Sequence, residues 1–214
     1  MAGEKINYQY ISEYIKSVIP QSIPYLEEME KYARENKVPV IHKEVKAFIE
    51  VLLKISKPER ILEIGSAIGY SALVMAEASN ACITTIERDP QMFNIAADNI
   101  EKAGKKERIK IIGQDALQVL PNLKNSYDFM FMDAAKGSYR EFYDYGINLV
   151  RKGGIILCDN ILYKGMTALG DDVGHKQRTI VNKMRDFVEM LFSDERIDNC
   201  IIPIGDGMCL SYVK

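Results

Sequence analysis

The stretch Ile61-Leu62-Glu63-Ile64-Gly65-Ser66-Ala67-Ile68-Gly69-Tyr70-Ser71 reads as a buried strand, a glycine turn and the first residues of a helix. Glycines in such a turn let the backbone approach a ligand just before a helix begins. Downstream the alternation continues, with β-rich runs at 82–86, 109–112, 129–132, 155–157, 201–204 and 208–213. Helical segments around 71–79, 91–103, 116–120, 139–150 and 178–192 separate all but the last two of these runs. Nearly apolar strands alternating with helices predict an α/β fold: a seven-stranded, mostly parallel sheet with helices on both faces. Gly205-Asp206-Gly207 joins the closing pair as a hairpin, which puts an antiparallel strand into that sheet. Upstream, Ile6, Tyr10, Ile11, Tyr14, Ile15 and Val18 recur at helical spacing. Tyr25, Leu26, Met29 and Ala33 repeat the pattern, and so do Val45, Phe48, Ile49, Leu52 and Leu53. The expected organisation is one domain over 1–214, with a helical cover at 1–57 and a Rossmann-like core at 58–214.

The composition is that of a globular chain: 214 residues, 47% hydrophobic and 27% charged, which excludes collagen-like and wholly disordered sequences. The 28 basic and 30 acidic side chains leave a net charge of −2, so a nucleic-acid partner would have to be met by a local basic patch. No apolar run reaches the ~18 residues a membrane span needs. Met1 to Tyr10 lacks the apolar stretch of a secretory leader, and a cytoplasmic location is expected. Cys82, Cys158, Cys200 and Cys209 show no C-x-x-C spacing and read as buried reduced thiols.

In open sheets of this kind ligands bind beyond the carboxyl ends of the strands. The first such end is G-x-x-x-G, with Ala67 where a pyrophosphate-binding fingerprint carries its second glycine. A nucleotide-like ligand without phosphates fits that turn better than a dinucleotide. Glu87, 22 positions after Gly65, stands where an acidic side chain can take ribose hydroxyls. Asp115 either caps the helix that follows it or accepts from an adenine amino group. Asp133, Asp159 and Asn160 close the fourth and fifth strands and converge as hard oxygen ligands suited to Mg2+. The lack of histidine and cysteine in that cluster argues against zinc.

These residues resemble the class I S-adenosylmethionine-dependent O-methyltransferases of the catechol and caffeoyl-CoA type. Leu62-Glu63-Ile64-Gly65, Gly69-Tyr70-Ser71, Ile86-Glu87, Gly113-Gln114-Asp115-Ala116, Asp133-Ala134-Ala135-Lys136-Gly137 and Asp159-Asn160 carry the resemblance, which spans nearly the whole chain. It implies that Glu63, Gly65 and Ser71 hold the methionine end of S-adenosylmethionine, with a backbone contact from Ile41. Glu87 would take the ribose, Asp115 with Ala116 the adenine, and Asp133 both cofactor and metal. Asp133, Asp159 and Asn160 would ligate Mg2+, Lys136 would be the general base, and the assembly would be a homodimer. A lysine can act so when a neighbouring cation or desolvation disfavours its charge.

A metal that grips two adjacent oxygens suits catechols, and equally 5-hydroxyuridine, whose hydroxyl adjoins a ring carbonyl. Asp133 to Gly137, Asp159-Asn160-Ile161-Leu162 and Ile202 to Gly207 resemble the bacterial tRNA 5-hydroxyuridine methyltransferases, which make 5-methoxyuridine at the wobble position. Animal catechol enzymes place a tryptophan before the lysine; Ala135 stands here, and the chain has no tryptophan. The tRNA anticodon loop is therefore the first expected substrate and a small phenolic the alternative. Lys176, Arg178, Lys183 and Arg185 form a candidate phosphate rim, and Tyr139, Arg140 and Tyr163 candidate base-stacking groups. The basic segment 101–110 and His175 read as a solvated face and a loop residue. From other classes, a nicotinamide-dependent oxidoreductase is disfavoured by Ala67 and the oxygen cluster. A non-catalytic adenosine- or RNA-binding module is disfavoured by the intact Asp133, Lys136, Asp159 and Asn160.

Overall fold

Side chains of the central strand β4 (Tyr127–Met132) alternate between two cores, because successive residues of a strand point to opposite faces. Phe129 and Phe131 join one core, Met130 and Met132 the other. Around it the sheet runs in the order β3-β2-β1-β4-β5-β7-β6. Its remaining strands are β1 (Arg60–Ile64), β2 (Cys82–Ile86), β3 (Ile109–Ile112), β5 (Val150–Cys158), β6 (Ile197–Ile202) and β7 (Met208–Val213). Among the described strands only β7 runs against its neighbours, β5 and β6. This computed structural model describes residues 6–124, 126–169 and 172–214.

Among the described residues, three helices precede β1: α1 (Gln9–Val18), α2 (Pro24–Asn36) and α3 (Lys43–Ser56). Apolar residues of α2 and α3 share the first core with α4 (Tyr70–Ala78), whose residues Tyr70 to Ala76 are all buried. A helix apolar on every side belongs between layers, and α4 lies between the sheet and those two helices. The second face carries α6 (Ala116–Val119), α7 (Tyr139–Gly146) and α9 (His175–Ser193), while α5 (Pro90–Lys102) lends Ile100 to the first core. Truncating Phe131 or Phe129, both in the first core, to alanine costs about 3–5 kcal/mol.

Several boundaries differ from the sequence expectations. The sixth strand is Ile197–Ile202 rather than 201–204, because its polar start serves an edge strand: Asn199 donates to the Leu191 carbonyl at 2.5 Å and accepts from Ser211 at 2.6 Å. β5 starts at Val150, not 155, and α7 stops at Gly146, not 150. A bulge with Gly153 at φ +77° and a register shift opposite Tyr127 to Phe129 lets the polar run join the strand. The short α8 (Met166–Leu169) follows the loop after β5 and has no counterpart in the sequence reading. Of the four cysteines expected to be buried, Cys158 and Cys209 are buried, whereas Cys82 opens β2 and Cys200 lies on the edge strand, both exposed. α1 buries no residue; Lys43 ties it down by donating to the Ile19 carbonyl at 2.7 Å, which satisfies a free helix-end acceptor. No helix among the described residues is long and apolar enough to cross a membrane. The reading of Met1 to Tyr10 as lacking a leader falls partly on residues 1–5, outside the described residues.

Candidate active site

A cleft of about 400 Å³ opens at the carboxyl ends of β1, β2, β4 and β5, within the usual size range of small-molecule sites. Of the residues singled out from the sequence, Ile41, Gly65, Ser71, Glu87, Asp115, Ala116, Asp133, Lys136, Asp159 and Asn160 line it. Glu63 does not; it lies fully buried beneath the floor.

At the β1–β3 end the backbone is set by glycine. Gly65 has φ +94°, and a side chain there would drive a Cβ to 2.1 Å from the Asp133 carbonyl oxygen, so the ends of β1 and β4 can meet only over a hydrogen. Gly69, φ +81°, opens α4 without a side-chain cap, which leaves first-turn N–H groups facing the cleft beside Tyr70 and Ser71. Ala67 takes the left-handed region at φ +44°, a conformation that costs a non-glycine residue about 1–2 kcal/mol. Its N–H is held by Glu87 Oε2 at 2.8 Å, while Glu87 Oε1 accepts from the Asp89 N–H at 2.8 Å. Asp115 resolves its two readings in part: Oδ1 caps α6 through the Leu117 N–H at 2.8 Å, and Oδ2 lies 3.7 Å from Arg88. Glu63 accepts from the Thr85 hydroxyl at 2.5 Å, but its Oε1 has no hydrogen-bond partner. Complete burial pushes its carboxyl up to about 7, although the Ser71 and Thr85 hydroxyls offset part of the rise.

At the β4–β5 end two carboxylates adjoin, because Met132 pairs with Cys158 and each strand then ends in an aspartate. Burial holds both Asp133 and Asp159 above the usual carboxylate range, with the Asp159 charge adding to the rise at Asp133 and the Asp206 charge to that at Asp159. Asp159 Oδ1 accepts from the Asn160 N–H at 2.6 Å; its Oδ2 is buried without a partner. Lys136, from the turn after β4, donates to Asn160 Oδ1 at 2.7 Å, so that carboxamide oxygen is turned into the cleft as an acceptor. Among the described residues no three His, Cys, Asp or Glu side chains gather as a metal site. The set here is two carboxylates and one carboxamide, all hard oxygens, and a buried oxygen lacking a donor is what a cation would satisfy. That donor set fits Mg2+.

Two titratable residues that the sequence reading did not single out stand beside the acid pair. His42, just before α3, and Asp206, in the β6–β7 turn, both line the cleft and both act electrostatically on Asp133. Neither belongs to a strand end of the parallel sheet, where ligand-binding residues of such folds gather; in the sequence Asp206 stands only as part of a turn. Tyr139 cannot stack on a base: it is buried, and its hydroxyl donates to the Asp159 carbonyl at 3.0 Å. His175 opens α9, exposed and outside the cleft lining. In the 101–110 segment Lys105 pairs with Glu77 at 2.7 Å and Arg108 donates to the Ala76 and Ser79 carbonyls, a structural use of charge. Of the α9 basic residues, Lys183 donates to the Gly137 carbonyl at 3.1 Å beside the Lys136 turn. At 100° per residue, Lys176 and Lys183 share one side of α9, and Arg178 with Arg185 the opposite side.

Residues 16–214 match the family model described as O-methyltransferase. A caffeoyl-CoA O-methyltransferase from Stellaria longipes is 33% identical, over 94% of this chain and 87% of that protein. Caffeoyl-CoA O-methyltransferase 5 of Nicotiana tabacum is 33% identical, over 95% of this chain and 89% of that one. Among solved structures, the Podospora anserina methyltransferase with S-adenosylhomocysteine bound superimposes with a TM-score of 0.87 at 28% identity, covering 96% of this chain and 94% of that one. The sheet order, the single antiparallel strand and the flanking helices are those of the class I methyltransferase fold. The chain belongs to the O-methyltransferase family.

Proposed function

We propose that this chain transfers the methyl group of S-adenosylmethionine to a hydroxyl of a small phenolic molecule bearing an adjacent oxygen, with Mg2+ as the required cation. The observation that carries this reading is the acid pair, in which the unpartnered Asp159 Oδ2, Asp133 and the Asn160 carboxamide meet beside a phosphate-free nucleoside crevice. The curated relatives are caffeoyl-CoA methyltransferases, which favours a phenol over the tRNA wobble base. The division of the α9 basic residues between two sides also removes the continuous phosphate rim that a tRNA would need.

In this reading the α4 N-terminus, Ser71 and the buried Glu63 receive the charged amino-acid end of the methyl donor, with Ile41 closing over it. The carboxylate goes to the helix N–H groups, while Glu63, beneath the floor, acts on the ammonium through Ser71 rather than by contact. Glu87 takes the ribose hydroxyls, and the Asp115-Ala116 corner takes the adenine. Asp133, Asp159 and Asn160 would hold the cation, whose Lewis acidity would make a substrate hydroxyl easier to deprotonate. Lys136 Nζ takes the proton that the substrate hydroxyl gives up. The cleft walls would hold that oxygen close to the methyl donor, and such positioning can supply a large share of a rate enhancement.

The test is a substrate panel. Purified protein is incubated with S-adenosylmethionine and, in separate tubes, caffeoyl-CoA, catechol or tRNA containing 5-hydroxyuridine, each with Mg2+ or excess chelator, and products are identified by mass spectrometry. Chelator-sensitive methylation of a phenol is the expected result. Methylation of the tRNA alone would move the substrate to RNA, and transfer undiminished by chelator would remove the cation.

A further inference from the structure

The segment that carries Asn160 is unusual in its backbone. Asn160, Tyr163 and Lys164 all have positive φ, at +60°, +44° and +59°, and none is glycine. Left-handed backbone at a non-glycine residue persists only where the surroundings impose it. Here the surroundings are the β6–β7 turn. The Ile161 N–H donates to the Gly207 carbonyl at 2.9 Å and the Leu162 N–H to the Asp206 carbonyl at 3.1 Å. The Lys164 N–H donates to Asp206 Oδ1. Leu162 also packs on Gly207 so closely that a Cβ there would lie 2.3 Å from Leu162 Cγ. Two oxygens of one residue, Asp206, thus hold both ends of the strained stretch 162–164.

We infer that Asp206 is a positioning residue: by gripping Leu162 and Lys164 it holds the loop after β5 in the conformation that turns the Asn160 carboxamide into the cleft. The inference rests on the cation reading of Asp133, Asp159 and Asn160 and adds to it the element that keeps the third donor in place. The bond from the side chain is what substitution can remove, since the Leu162 bond uses backbone. Asparagine at 206 keeps an acceptor for the Lys164 N–H but loses the charge; alanine loses both. The pair therefore separates support of the loop from simple attraction of a cation by a nearby carboxylate.

The experiment is a Mn2+ titration of the wild-type chain, D206N and D206A, read by the electron paramagnetic resonance signal of free Mn2+. S-adenosylhomocysteine affinity is measured on the same samples. The expected result is binding by the wild type, a roughly tenfold weaker affinity in D206A and recovery of most of that loss in D206N. S-adenosylhomocysteine affinity stays within about twofold in all three, since the bonds of Glu87 and Asp115 share no partner with those of Asp206. D206N falling as far as D206A would overturn the proposal in favour of charge alone. Unchanged Mn2+ affinity in D206A would overturn it outright, as would a parallel loss of S-adenosylhomocysteine binding, which marks a general loss of structure. No Mn2+ binding by the wild type would overturn the cation reading itself, and the proposal with it.

Discussion

At the β1–β3 end of the cleft, Glu87 and Asp115 already have donors: Glu87 accepts from two backbone N–H groups, and Asp115 caps a helix. At the β4–β5 end Asp159 keeps a buried oxygen with no donor, its neighbour Asp133 resists ionisation, and the adjoining loop holds three non-glycine residues at positive φ. The first end is a preformed receptacle. The second stores unfavourable burial and strain that a cation would relieve, which is how a site becomes selective for the state it works in. Ala67 carries some backbone strain at the first end too, and in burial Glu63 is the exception there, because its Oε1 also lacks a donor.

The sharpest way to break this contrast is Asp159→Ala. Turnover is expected to fall by roughly a thousandfold, about 4 kcal/mol in barrier, with S-adenosylhomocysteine affinity unchanged by calorimetry. Loss of cofactor affinity in that variant would mean the two ends are not separable. Next in size is the exception. The native chain holds a proton on Glu63 up to about pH 7, whereas the unfolded chain releases it near 4.5. The unfolded state thus binds fewer protons across that window, so this group's contribution is fully present below pH 4.5 and is lost as pH rises to 7, by about 3 kcal/mol. Glu63→Gln should remove that slope from denaturant unfolding measured without ligand; an unaltered pH profile would show that Glu63 ionises normally in the folded chain.

Lys136→Met should slow methyl transfer by about a hundredfold while leaving cofactor affinity alone, the size of effect seen when a general base is removed. A steady-state assay with a separate S-adenosylhomocysteine titration checks both halves of that statement. The smallest effect belongs to Glu87→Ala, expected to weaken S-adenosylhomocysteine about tenfold through lost bonds to a charged acceptor, with Mn2+ binding untouched. Equal cofactor affinity in that variant would move the ribose elsewhere.

The contrast also explains what the sequence made legible. Strand ends in a parallel sheet gather in one place, so Gly65, Glu87, Asp115, Asp133 and Asp159 could be placed together once the strands were recognised. Even the absence of a side chain at Gly65 has its reason in the approach of the Asp133 carbonyl. His42 and Asp206 lay outside that logic, because they reach the cleft from a helix start and a hairpin turn through contacts between distant segments. The same holds for β6, whose polar Asp198 and Asn199 hide a strand from periodicity until its edge position explains them. Tyr139 misled for the opposite reason: it sits beside the strand ends in sequence, but α7 turns it into the core, where its hydroxyl supports the Asp159 carbonyl.

The most direct test of the preformed receptacle and the cation-dependent acid pair is to follow both on one sample. Purified protein, with and without excess chelator, is assayed for S-adenosylhomocysteine affinity by calorimetry and for methyl transfer to caffeoyl-CoA by mass spectrometry. The account predicts that chelator abolishes transfer and leaves affinity within about twofold. Transfer that persists in chelator, or cofactor affinity that disappears with the cation, would contradict it.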